Sequence, residues 1–111
     1  MNLVPAELTF SVADGEGIEV AFRDGDLTLR FTDWREQPVQ HCFVDTLAFR
    51  WSAQASVPTP RDDEAYQLVD SSWLSEEVRA EVVAKPEDFA HYVLCFNAAK
   101  VLEVISRKPQ P

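Results

Sequence analysis

The sequence predicts an α+β domain: a curved, mostly antiparallel sheet of six or seven strands, opened by a three-stranded meander, with one helix packed on it. Three observations predict it. Apolar and polar residues alternate in three successive N-terminal stretches set apart by Asp-Gly turns. Val39–Trp51 (VQHCFVDTLAFRW) is rich in β-branched and aromatic residues and free of Gly and Pro. Helical spacing is convincing in one place, around Leu74, Val78 and Val82. The alternative architecture is a small, partly open barrel with the helix at one end.

The meander comes first. Leu8, Phe10 and Val12 alternate with Glu7, Thr9 and Ser11; Ile18, Val20 and Phe22 form a second row, and Leu27, Leu29 and Phe31 a third. Between the rows stand Asp14-Gly15 and Asp24-Gly25, the pair that favours a tight hairpin because Gly accepts positive φ without steric cost. Val39–Trp51 carries apolar residues on both faces, as a covered central strand does. Asp45 falls on the more apolar face, which requires either a bulge or a donor for its carboxylate. Residues 52–60 (SAQASVPTP) read as a loop and Ala65–Val69 as a short strand. Ser71, Ser72 or Ser75 caps the helix, with Glu76 and Glu77 in the first turn if Ser75 is the cap. Pro86 ends it and starts one further turn. A closing hairpin pairs His91–Phe96 with Val101–Ile105, and residues 107–111 read as a frayed tail.

At 111 residues the chain is expected to be a single domain, 1–111, able to bury roughly two-thirds of its unfolded surface without staples. No apolar run approaches the roughly 20 residues that cross a bilayer. The start, MNLVPAEL, lacks the basic and apolar parts of a signal peptide, so the expected setting is the cytoplasm. The net charge of −9, from 19 acidic and 10 basic residues, disfavours nucleic acid and anionic membranes as partners and would speed encounter with a basic protein. Cys42 and Cys95 are too few for a disulfide scaffold and read as two reduced core thiols, with a Cys42–Cys95 bridge as the alternative.

The residues that carry chemistry are sparse. His41 and Cys42 point to opposite faces of their strand. His91 and Cys95 share a face but stand roughly 13 Å apart along it. A thiol nucleophile therefore needs a cross-strand match, Cys42 with His91 or His41 with Cys95. Asp62-Asp63-Glu64 reads as a solvated turn before it reads as a metal or acid–base cluster. The two Asp-Gly stretches lack the spacing of calcium loops. With all three glycines in turns there is no phosphate-binding loop. No metal and no cofactor is expected, and no catalytic activity. Trp34, Trp51 and Trp73 all lie at element boundaries, two of them beside Arg35 and Arg50. Tryptophan with arginine is the pair enriched at interface hot spots.

Between residues 61 and 105 the chain resembles small uncharacterised bacterial proteins of the immunity type, which neutralise toxins. The resemblance rests on Arg61-Asp62-Asp63, Ser72-Trp73-Leu74, His91-Tyr92 and Phe96-Asn97. It implies a cytoplasmic protein that binds another protein and catalyses nothing. The expected function is thus a non-enzymatic binding domain with an acidic surface for a basic toxin or enzyme, using Trp34, Arg35, Arg61, Asp62, Asp63 and Trp73. Two alternatives stand beside it: a structural or homo-oligomeric β-domain, a homodimer among the forms it could take, and a ligand carrier or enzyme with a pocket between sheet and helix lined by Trp51, Trp73, Tyr92 and Phe96.

Overall fold

Asp24 and Gly25 both take positive φ, 52° and 84°, and make the two-residue turn that Asp-Gly predicts. They join β2 (Glu16–Arg23) to β3 (Asp26–Thr32) with Arg23 opposite Asp26. β4 (Pro38–Phe43) pairs with the far side of β3, completing a three-stranded antiparallel sheet. The computed structural model describes residues 2–59, 63–81, 85–96 and 100–109.

The other strands form a second, five-stranded antiparallel sheet in the order β1-β6-β7-β8-β5. They are β1 (Asn2–Pro5), β5 (Ala48–Ser52), β6 (Ala65–Val69), β7 (Phe89–Phe96) and β8 (Lys100–Arg107). Among the described residues the fold is therefore α+β and antiparallel, with eight strands divided between two sheets and neither sheet closed into a barrel. The small sheet turns Leu27, Leu29, Phe31 and Phe43 onto Ala90, Tyr92, Leu94, Phe96, Leu102 and Val104 of the large one, and these form the main core. The opposite face of the large sheet is covered by helix α1 (Ser72–Arg79) and the loop 53–59, giving a third layer.

Two strand expectations are corrected. Residues 7–12 form no strand; the meander is β2-β3-β4, and the strand at the N-terminus is β1, paired with β6. The alternation in 7–12 nevertheless reports burial, since Val12 is buried and Leu8 and Phe10 pack on the core. Phe10 meets both Phe31 and His41. Gly15 follows because a Cβ there would stand 3.1 Å from Phe31 and 3.2 Å from Phe96.

The run Val39–Trp51 is two strands, β4 and β5, in different sheets. Its break is the corner Val44–Leu47, where Asp45 has φ 46°. The Thr46 amide donates to the Gly25 carbonyl (2.7 Å), and the Thr46 hydroxyl donates to the Phe43 carbonyl (2.8 Å). The Asp45 carboxylate has its donor, Arg107 Nε at 2.7 Å. This contact also corrects the frayed tail: Arg107 belongs to β8, and the Lys108 amide donates to the Asp88 carbonyl. Gln110 and Pro111 lie outside the described residues, as do Val82 of the predicted helical stripe and Asn97–Ala99 of the last turn.

The helix cap is Ser71, whose Oγ accepts from the Leu74 amide at 3.0 Å. Because the helix starts at Ser72, Glu76 and Glu77 fall beyond its first turn. Leu74 and Val78 are buried against Phe89 and Ile105, and Pro86–Asp88 makes one 3-10 turn. Neither cysteine is in a disulfide: Cys95 is buried as expected, but Cys42 is exposed, since β4 gives its inner face to Val39, His41 and Phe43. No described helix is long and apolar enough to cross a membrane.

Candidate functional site

Two places concentrate polar side chains in fixed geometry. The first is the β3–β4 turn. Asp33 is buried at its base, and its Oδ1 accepts from the amides of Arg35 and Gln37, both at 2.9 Å. Its Oδ2 meets the Arg35 guanidinium at 3.3 Å. The Gln37 amide, with the amide and charge of Arg35, outweighs the cost of burial and holds the Asp33 carboxyl below the usual aspartate range. The turn is closed by Asp33 N–H to the Gln37 carbonyl and Glu36 N–H to the Asp33 carbonyl, with Glu36 at φ 60°. With its backbone fixed this way, Trp34 stands out at 59 % exposure, and the Arg35 guanidinium lies 5.6 Å from its ring. The ladder sets Glu16 opposite Thr32, so Glu16 and Glu36 flank the same end of the sheet.

The second place lies under Trp73, on the outer face of the large sheet. β7 and β8 alternate, so His91 and Glu103 face outward with Val93, Cys95, Val101 and Ile105. His91 is opposite Ile105, which makes Glu103 its diagonal neighbour. Both are buried, and His91 Nε2 lies 2.8 Å from Glu103 Oε1. Glu103 also accepts from the Ser56 hydroxyl (2.6 Å) and amide (2.9 Å), and Arg50 Nε lies 3.3 Å away. Burial alone would raise the Glu103 carboxyl; the bonds from His91 and Ser56 and the charge of Arg50 outweigh it and hold the group at about 2. Glu103 is thus a carboxylate at neutral pH and can only accept from His91 Nε2–H. On the other side of the ring, Nδ1 lies 2.7 Å from the Ser71 hydroxyl, and in the tautomer with the proton on Nε2 it accepts from that hydroxyl.

Trp73 roofs this row. Its ring meets His91 edge-to-face at 5.2 Å and receives the Arg50 guanidinium at 4.3 Å. The network separates two apolar clusters, one under the helix and one under the loop 53–59. At its Ser71 end it opens on a cleft of about 400 Å³ lined by Leu68, Leu74, Phe89, Ala90 and Lys108. A serine hydroxyl on a neutral imidazole, itself oriented by a carboxylate, is an arrangement that can move a proton.

Among the predicted binding residues, Trp34 and Arg35 share the small-sheet turn, while Trp73 sits on the helix layer. Asp63 lies just before β6 at φ 60°, with Oδ1 buried and unpartnered; Arg61 and Asp62 lie outside the described residues. The thiol matches do not form. Cys42 and His91 face outward from opposite sheets, and His41 faces the core while Cys95 faces away from it. Nor do Trp51, Trp73, Tyr92 and Phe96 line one pocket: Trp51 and Tyr92 lie on the Phe96 face of the large sheet and Trp73 on the other. Sequence reasoning missed Ser71, His91 and Glu103 as a unit. The signal was present in Glu103, an acid that shares its strand face with Val101 and Ile105 in the apolar run VLEVI. Among the described residues no group of three His, Cys, Asp or Glu side chains could hold a metal ion. No family model, curated protein or solved structure matches the chain.

Proposed function

We propose that this chain is a protein-binding domain that docks its Trp34–Arg35 turn on a basic partner, in the cytoplasmic, toxin-neutralising manner of the immunity-type proteins it resembles. The observation that carries the reading is the exposed Trp34 on a turn locked by Asp33. A large aromatic held in one orientation loses little entropy on docking, and with an adjacent arginine it is the side-chain pair of interface hot spots. Glu16 and Glu36 beside it, and the net charge of −9, favour a basic surface.

The test is capture from native lysate with the tagged chain as bait, at low and then moderate salt, alongside a Trp34→Ala bait. The reading expects one stoichiometric basic protein, released as salt rises and absent from the Trp34→Ala lane at unchanged thermal stability. A salt-insensitive complex would remove the electrostatic part. Equal capture by Trp34→Ala would remove the site.

A second reading, self-association, is favoured by one observation. Phe22 on edge strand β2 meets Phe49 on edge strand β5 at 5.6 Å, and both stay 40–50 % exposed beside Trp51. Light scattering across a concentration range decides it, and a strictly monomeric protein ends it.

A further inference from the structure

We infer that Ser71 is an activated nucleophile that takes the acyl group of a short carboxylic ester bound in the cleft beside it. The inference goes beyond the binding reading and is built from other elements: the end of β6, the start of α1, β7 and β8. Ser71 Oγ is 2.7 Å from His91 Nδ1, and His91 Nε2 is 2.8 Å from Glu103 Oε1. These are the two contacts a serine nucleophile needs, base to hydroxyl and orienting acid to base. Which ring nitrogen faces the serine is immaterial to the proton transfer; what matters is that the other one is tied to a carboxylate. Glu103 meets that condition, held ionised by Arg50 and Ser56.

The backbone supplies the remaining parts. β6 ends at Val69, Asp70 turns the chain at φ 59°, and Ser71 precedes the helix directly. Sharp strand-to-helix turns are one way proteins present a nucleophilic serine, with the amide of the following residue facing the developing oxyanion. The amides of Ser72 and Trp73 belong to the first helical turn, where no intrahelical acceptor exists for them. The Leu74 amide already donates to Oγ, so negative charge arising there is met by an N–H and by the positive end of the helix. Ser71 is only 6 % exposed, but it lines the 400 Å³ cleft whose walls include Leu68, Leu74, Phe89 and Ala90. Gln67, Asp70, Glu87 and Lys108 line the cleft as well, so its wall is mixed, and its volume suits a small acyl group better than a long one.

The chemistry balances with water as co-reactant. Ser71 Oγ bonds to the ester carbonyl carbon as its proton passes to His91 Nδ1, leaving an imidazolium between Ser71 and Glu103. The carbon–alkoxy bond then breaks, and the alcohol departs with the Nδ1 proton. Water attacks the acyl-serine, gives its proton to Nδ1, and the carboxylic acid leaves as Ser71 recovers its hydrogen. Nothing is oxidised or reduced. Ser71 and His91 are the catalytic pair, and Glu103 is a positioning residue.

The experiment is labelling of the intact chain with an alkyl fluorophosphonate, followed by peptide mapping and by hydrolysis of p-nitrophenyl butyrate. One phosphonyl adduct on Ser71 is expected. Ser71→Asn, which keeps a capping side chain, should carry no adduct, and Glu103→Gln should label roughly 100-fold more slowly, with its pH profile displaced. No adduct on the folded wild-type chain, or an adduct on exposed Ser72 instead, overturns the inference, and this result needs no variant to fold.

Discussion

Arg50 stands directly opposite Glu103 across the β5–β8 ladder, 3.3 Å from its carboxylate, while its guanidinium lies 4.3 Å from the centre of the Trp73 ring. One side chain therefore ties an edge strand, a buried acid and the helix together. Its side chain is 45 % exposed, so solvent screens the charge–charge part. Arg50→Ala should cost about 1 kcal/mol in urea unfolding, and Arg50→Lys should recover less than half of it. An ammonium lacks the flat face that stacks on the indole.

Glu103 makes stability depend on acid. Its carboxyl lies at about 2 in the folded chain against 4.5 when unfolded, so between those values the unfolded state binds the extra proton. The contribution is fully present above pH 4.5 and is lost as pH falls toward 2, on the order of 3 kcal/mol at the limit. Equilibrium unfolding followed from pH 6 to pH 2 should show this loss, and Glu103→Gln should flatten it. An unchanged slope in the variant would assign the acid sensitivity to other carboxylates.

Removing His91 should be among the most damaging single changes. His91→Ala leaves a cavity under Trp73 and takes from Glu103 and Ser71 a partner each, at about 3 kcal/mol or more. For a chain of this size that lowers the melting temperature by over about 10 °C in calorimetry. The double change His91→Leu with Glu103→Leu should be milder than the sum of its parts, because it removes the buried acid along with its donor.

Gly15 and Gly25 should fail for different reasons. Gly15→Ala drives a Cβ into the Phe31 and Phe96 rings and should cost about 1–2 kcal/mol, part of it recovered by Phe31→Leu in the same chain. Gly25→Ala meets open space, but its φ of 84° strains any L side chain by about 1 kcal/mol, and no neighbouring substitution should relieve that. Paired unfolding curves separate the two.

Local chemistry made much of this fold legible. Asp24-Gly25 announced its hairpin, Ser71 its helix, and the apolar row of β3 its buried face; the row of β2 is covered less than its alternation implies, with Ile18 and Val20 half-buried and Phe22 50 % exposed. The misreadings share one cause: period-two alternation records which side chains are inward, and says nothing of what the backbone pairs with. Residues 7–12 alternate because they lie across the core, not beside a strand. Val39–Trp51 alternates through a corner, since both halves turn apolar residues inward from different sheets. Trp34 is exposed because its turn, between Asp33 and Arg35, has little apolar sequence to cover it. The Ser71–His91–Glu103 row was not legible, because its members lie on three elements and meet only through the β7–β8 register.

The pairing of β1 with β6 has a practical side. The small sheet is contiguous in sequence from Glu16 to Phe43, whereas the large one is completed by the first residues of the chain, joined to a strand some sixty positions later. Asn2–Pro5 is therefore a seal: it occupies the hydrogen-bonding edge of β6 and ends in a proline, which offers no donor of its own. A chain started at Ala6 loses the packing of Leu3 on Tyr66 and Leu68 and bares β6 as a template for other molecules.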